Sequence, residues 1–269
     1  MSWKNRRALP ALGIDCSKKS YNGKEMFTYQ GHNVRKKSRM KKSVLVVVAH
    51  PDDEVLGCGG TIAKLAREGH EIVVAILGEG VSSRYDKRAA ADEELVERLH
   101  EESRHVAKLL EIKDLLMYSF PDNRFDTLPL LDIVKLLEKV INELRPEIVL
   151  THHGGDLNID HAITHRAVLT ASRPTEDHPV REIYAFEVLS STEWAFGQFR
   201  TRFNPNVFVD VSKTIKLKIK AMEIYGSEIR QFPHPRSRQA LESLARYRGS
   251  TVGLEAAEGF ELVRTIICN

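Results

Sequence analysis

One short run constrains this chain more than any other feature: Ser43-Val-Leu-Val-Val-Val-Ala49. It is apolar at every position after the serine, with no polar alternation. A strand of that kind has both faces covered, as in a parallel sheet with helices above and below. The run stops abruptly at His50-Pro51-Asp52-Asp53-Glu54. Gly57 to Gly60 then lead into a helix expected over Thr61–Glu68, closed by Gly69, and Ile72–Leu77 reads as the next strand. Together these form a βαβ unit, whose crossover is right-handed.

The alternation persists to the end of the chain. Ala89–Leu110 has the pattern of a long amphipathic helix, and Asp114–Phe120 that of a strand. Thr127 is expected to cap a helix running through Leu144, with Pro129 in its first turn and Pro146 beyond its end. Glu147–Thr151 is the fourth strand, followed by a helix over Asp160–Ser172. Arg181–Val188, Asn206–Val211 and Phe260–Ile267 read as later strands, and Lys213–Tyr225 and Ser237–Tyr247 as helices. Strands alternating with helices give an α/β three-layer sandwich around a mostly parallel central sheet.

Charge divides the chain in two. Residues 1–42 carry twelve Lys and Arg against two Asp and Glu, a net +10, including six bases in the eight residues Arg35–Lys42. Residues 43–269 carry 28 bases against 35 acids, a net −7. The overall +3 therefore belongs to a basic N-terminal extension, expected to be solvated and partly disordered, and not to the folded domain over 43–269. It gives no ground for a nucleic-acid partner. Leu9, Leu12, Ile14, Met26, Phe27 and Tyr29 would nevertheless let the extension dock on the domain or on a second subunit of a homo-oligomer. The three cysteines, Cys16, Cys58 and Cys268, are widely spaced, which fits a reducing compartment. No segment reads as a membrane span or as a secretory signal, so a cytoplasmic protein is expected.

Open α/β sheets bind ligands at the carboxyl ends of their strands. The first strand ends on the His50–Glu54 cluster, and the fourth on Thr151-His-His-Gly-Gly-Asp-Leu-Asn-Ile-Asp-His161. Two groups rich in His and Asp thus meet on one rim. Imidazole with carboxylate suits Zn²⁺, and three protein ligands with an open position make a catalytic site. Neighbouring Asp52 and Asp53 can divide the work, one on the metal and one as general base.

The segment A-H-P-D-D-E-x-L-G-C-G-G-T-I resembles the signature of the PIG-L (LmbE-like) deacetylase family, and D-x-N-x-D-H before a helix is similar to that family's second metal motif. The resemblance runs from residue 43 to about 265 and omits the extension. It implies a Rossmann-like fold, a divalent metal (Zn²⁺, with Fe²⁺ as the alternative), and removal of the acetyl group from an N-acetylated amino sugar, free or linked to a nucleotide, a lipid or a thiol conjugate. Carried over by position, it makes His50, Asp53 and His161 the metal ligands and Asp52 the general base. Asp160 would orient a neighbouring group from behind them. Several members carry a histidine three residues before the last ligand, where this chain has Asn158. An amide can donate to an oxyanion but cannot shuttle a proton. Asp52 or His153 would then have to protonate the leaving amine.

Arg84 resembles a substrate-contacting arginine of the family, and Asp122 and Arg124 leave the third strand on the same rim. A solvent-facing loop arginine and a turn-forming Pro-Asp-Asn are the plainer alternatives. Cys58 is expected to be a buried thiol and His234 a surface-loop histidine. The competing function is a nucleotide- or sugar-binding module without hydrolysis. The glycines and the basic extension favour it, and the carboxylates beside His50, which would repel phosphate unless a metal intervened, disfavour it.

Overall fold

The valine run does become a doubly covered strand. In the computed structural model, β3 spans Ser43–Val48. Val44, Val46 and Val48 pack with Ile62, Leu99 and Met222 on one face. Leu45 and Val47 pack with Ile133, Val140 and Val168 on the other. Each of these fully buried side chains contributes about 1.5–3 kcal/mol relative to exposure. Two apolar layers back to back across one sheet make three layers, as the pattern implies.

The structure describes residues 14–21, 24–31, 41–80, 93–199 and 201–267, the first two segments as backbone only. Contacts separate residues 1–40 from 41–269. In the first unit, β1 (Ile14–Tyr21) and β2 (Lys24–Gly31) pair antiparallel as a hairpin. The basic composition gave no sign of this pairing.

The second unit contains α1 (Asp53–Arg67), β4 (Glu71–Gly78), α2 (Glu93–Leu109), β5 (Asp114–Phe120), α3 (Leu130–Leu144), β6 (Ile148–His152), α4 (Ile159–Ala171), β7 (Glu182–Phe186), β8 (Val207–Asp210), α5 (Ile215–Ile224), α6 (Arg238–Ser250) and β9 (Ala257–Thr265). The sheet order is β5-β4-β3-β6-β7-β9-β8. The first five strands are mutually parallel, and β9 runs antiparallel to both β7 and β8. The order therefore reverses between β3 and β6, the switch point where sheets of this kind open a crevice. No described helix is long and apolar enough to cross a membrane.

Two helix starts differ from expectation. α1 begins at Asp53, not after the glycines, and is broken at Cys58, where φ is −147°. The break leaves a carbonyl and two amides of the helix unpaired inside the core. A buried ion pair meets them: Glu258 accepts from Gly60 N and Thr61 N at 3.0 and 2.7 Å, while Lys218 Nζ donates to Leu56 O at 2.9 Å and to Glu258 at 2.6 Å. The other difference is at Thr127, which does not cap α3. It ends a short 3₁₀ turn and donates its hydroxyl back to Arg124 O at 2.7 Å, so the helix starts after Pro129.

Candidate active site

β3 and β6 deliver their polar ends side by side. Asp52, the residue before α1, has a φ of 101°, and its carboxylate makes no cap to the helix. The side chain is thereby released towards a cleft of about 120 Å³ lined by His50, Asp52, Asp122, Asn158, Glu228 and Arg236, among others. Asp53 turns the opposite way, into the protein. Its Oδ2 lies 3.4 Å from His50 Nδ1 and 3.2 Å from His161 Nε2, and accepts His50 N–H at 2.8 Å. His50, Asp53 and His161 are all buried, and one ligand atom from each lies within 4.8 Å of the others.

The outer nitrogens of both imidazoles face further carboxylates. His50 Nε2 is 2.9 Å from Asp160 Oδ2 and 3.1 Å from Asp122 Oδ1. His161 Nδ1 is 3.2 Å from Asp156 Oδ1. This is the second layer expected around metal-binding histidines, in which a carboxylate fixes the ring and makes the inner nitrogen more basic. Asp160 is held in turn by the backbone amides of Asn123 (2.6 Å) and Phe125 (2.9 Å). Asp156 accepts from Asn158 N at 2.9 Å, from Thr192 Oγ1 at 2.6 Å and from the Ser191 hydroxyl.

The electrostatics match a cation site. Burial alone would depress His161, but the charge of Asp53 and the contact with Asp156 overcome it and push its pKa to about 9. His50 is likewise depressed by burial but raised overall by its hydrogen bonds to Asp122, Asp160 and Asp53. Burial opposes ionisation of Asp53, but the charge of His161 and the hydrogen bonds of His161 and His50 outweigh it and hold the carboxyl well below its usual range. Two imidazoles held as cations by four carboxylates are what such a cradle does with protons. A divalent cation would displace those protons and satisfy the same negative charge. The donor set, one carboxylate and two imidazoles, suits zinc.

Asp52 behaves differently. Burial raises its pKa well above the usual carboxylate value, although Arg236 partly opposes this. Asn158 Oδ1 caps α4 by accepting Asp160 N–H at 2.9 Å, so its amide NH₂ is the group left to face the cleft. His152 stacks on His161 with centroids 3.9 Å apart, and its Nε2 accepts Ala49 N–H at 2.9 Å. Its proton therefore sits on Nδ1, which is buried and has no partner among the described residues. Burial, together with the charge of His161, keeps this ring neutral.

Two expected residues, His153 and Arg124, fall elsewhere. His153, next to His152 at the end of β6, points the other way. Its Nδ1 is 2.7 Å from Glu261 and its Nε2 3.1 Å from Thr201 O, so neither nitrogen is left for the cleft. Arg124 is exposed and does not line the cleft. Arg84 lies outside the described residues. Asp122 does line the cleft, against His50. Arg236 and Asp156 have no role in the sequence reading. Asp156 stands inside the quoted metal motif, and Arg236 two residues beyond His234.

The sequence profile of the PIG-L family, described as GlcNAc-PI de-N-acetylase, matches residues 45–172. The diacetylchitobiose deacetylase of Thermococcus kodakarensis is 30% identical over 235 residues, covering 82% of this chain and 83% of that one. Among solved structures, the N,N'-diacetylchitobiose deacetylase of Pyrococcus horikoshii matches with a TM-score of 0.68 at 22% identity, over 86% of this chain and 87% of its own. The 4-carboxy-2-hydroxymuconate hydratase of Pseudomonas putida KT2440 matches with a TM-score of 0.65 at 24% identity, over 85% and 98%. A hydratase on the same scaffold is a reminder that this fold alone does not fix the reaction. Sequence likeness over 82% of the chain, with a profile match that takes in both polar strand ends, makes this chain a member of the PIG-L deacetylase family.

Proposed function

We propose that this chain is a metal-dependent hydrolase that removes the acetyl group from an N-acetylated amino sugar, with His50, Asp53 and His161 as ligands of Zn²⁺ and Asp52 as general base. The observation that carries the reading is the opposed use of the two neighbouring carboxylates. Asp53 is ionised and turned to two imidazoles, whereas Asp52 has a raised pKa and opens on the cleft. A bound zinc ion supplies Lewis acidity, polarising a carbonyl oxygen and acidifying water.

The chain's own groups do the rest. Asp52, whose carboxylate opens on the cleft, takes the proton of the attacking water. The Asn158 amide donates to the oxygen that gains negative charge when the acetamide carbonyl becomes tetrahedral. Asn158 carries no proton to give away, and both nitrogens of His153 are engaged elsewhere. This supports Asp52 as the group that returns the proton to the departing nitrogen, so that the carbon–nitrogen bond breaks to acetate and a free amine. Asp160 and Asp156 hold the rings of His50 and His161. Asp122, on the cleft wall, is suited to accept from a sugar hydroxyl, and Arg84 remains a proposed substrate contact. A cytoplasmic setting fits the widely spaced cysteines, of which Cys58 is free and buried.

The non-catalytic binding module fares poorly, because Asp52, Asp122 and Glu228 on the cleft wall would repel a phosphate. The test is acetate release from a panel of N-acetylated sugars, free, nucleotide-linked and lipid-linked, alongside metal analysis. Asp52→Ala should lose about 10²–10⁴ in turnover while keeping zinc, as expected for loss of acid–base catalysis. His161→Ala should lose both. Equal zinc retention in the two variants refutes the division of roles.

A further inference from the structure

Arg236 reaches the cleft from a distant part of the sequence, 184 residues beyond Asp52. Its Nη1 donates to Asp52 Oδ2 at 2.7 Å and to Glu228 Oε2 at 2.9 Å, and its Nε donates to Ser190 Oγ at 2.7 Å. We infer that Arg236 is a positioning residue for the proposed deacetylation: it fixes the Asp52 carboxylate by one oxygen and leaves the other aimed at the reacting water. The inference rests on the function proposed above for Asp52.

Three features support it. First, the grip is one-sided. An arginine fork can bind both oxygens of a carboxylate. Here a single guanidinium nitrogen takes Oδ2, and no described residue hydrogen-bonds Oδ1. A carboxylate clamped at both oxygens would have neither oxygen free to turn to the water, and both would be made less basic by the guanidinium.

Second, Asp52 needs a restraint that its own backbone does not give. A non-glycine residue at φ 101° is held there by its surroundings. The Asp52 carbonyl accepts from Val55 N and Leu56 N, and its amide donates to Glu54 Oε2 at 3.2 Å. These contacts fix the main chain. The side chain makes no helix cap, and Arg236 is its one hydrogen-bond partner among the described residues.

Third, the arginine is itself immobilised. It stands just before Ser237, whose hydroxyl caps α6 by accepting Ala240 N–H at 3.2 Å. Its own amide donates to His234 Nδ1 at 3.1 Å and its carbonyl accepts Arg230 N–H at 3.4 Å. Ser190, from the loop after β7, holds the other edge of the guanidinium. A group tethered at backbone, Nε and Nη1 can impose its geometry on a softer partner.

The test compares the zinc-loaded parent with Arg236→Met and Arg236→Lys. Displacing a reacting group by about 1 Å can cost 10²-fold in rate. Arg236→Met should therefore lower kcat about 100-fold with KM within about threefold and full zinc content, and free guanidinium should restore part of the loss. Arg236→Lys keeps the charge but not the second tether, and should lose about tenfold. A loss confined to KM would make Arg236 a substrate contact and overturn the proposal, as would an unchanged kcat. Crystal structures give a readout that needs no substrate. In Arg236→Met the Asp52 side chain should leave its rotamer or split between two, and an Asp52 that stays single and unmoved overturns the proposal. A parent protein that holds zinc but releases no acetate from any sugar would count against the proposed function alone, while the crystallographic comparison still decides the role of Arg236.

Discussion

Replacing Gly57 with alanine sets two effects of known size against each other. In a helix, alanine is favoured over glycine by about 0.5–1 kcal/mol, and Gly57 lies within α1. A Cβ built there, however, would stand 2.2 Å from Phe186 Cδ2 and 2.4 Å from Cε2. That falls short of ordinary contact by about 1.2 Å. Phe186 is fully buried, and its ring stands edge-on to His152 at 5.1 Å, which in turn stacks on His161. The ring therefore cannot swing away without disturbing the histidines. Overpacking a closed core costs about 1–3 kcal/mol, and the rigid surroundings argue for the upper part of that range. The net expectation is a loss of about 2 kcal/mol. Gly59, two residues on, is the control. Its added Cβ would meet Lys218 and Val55 at 3.4 Å, ordinary contact, so Gly59→Ala should gain about 0.5–1 kcal/mol. Urea denaturation of both variants should move the midpoints in opposite directions. In thermal melts Gly57→Ala should fall by about 4–8 °C. If both variants shift the same way, packing against Phe186 is not what requires the glycine.

Three further outcomes follow from the site and its surroundings. The His153–Glu261 pair should stabilise the fold over a bounded pH window. Burial depresses His153 but its bond to Glu261 raises it overall, so its contribution is complete below the ordinary value of 6.5 and lost as pH rises through the raised one. Burial raises Glu261 but His153 lowers it overall, so its contribution is present above 4.5 and lost on acidification. Glu261→Gln should therefore differ most from the parent in melts at about pH 5.5 and least at about pH 9, and a constant difference refutes the coupling. Free Zn²⁺ at a thousandfold excess over its Kd should stabilise the metal-free protein by about 4 kcal/mol, and a shift that survives in His161→Ala would show that zinc binds elsewhere. A chain beginning at Lys41 keeps the bonds of Lys42 to Glu182 and His70 and every group of the cleft, so it should fold, bind zinc and turn over near the parental rate; an insoluble product or one without zinc refutes this.

The sheet was legible because its strands are apolar on both sides. Runs such as β3 and β4 have no plausible alternative, and β5 was placed to the residue. The place of β9 between β7 and β8 was not legible, since strand order is decided by long-range pairing that no local period records. The start of α1 was misread because glycines signal a loop locally. Here Gly57 and Gly60 are small because Phe186 and Val211 press against the helix. Within the site, His50, Asp52, Asp53, Asp160 and His161 sit in two short segments at strand ends, where position and chemistry agree. Arg236 carried no such signal, because its partner is 184 residues away. His153 was misassigned by a matter of parity: of two adjacent histidines at the end of β6, only His152 faces the cluster.

The pairing of Glu258 with the break in α1 has a consequence for how the protein is made. The helix behind Asp52 and Asp53 leaves the ribosome well before β9, since the carboxylate that closes its break lies 198 residues from Gly60. Until β9 emerges, Gly60 and Thr61 lack their acceptor and β8 has no strand to pair with. Completion of the sheet therefore waits for β9 to be made, and the nascent chain carries an open β7 edge in the meantime. β9 is in effect the latch of α1. A premature stop or a frameshift a few codons before Glu258 would strike at the catalytic end of the fold and not at a dispensable tail.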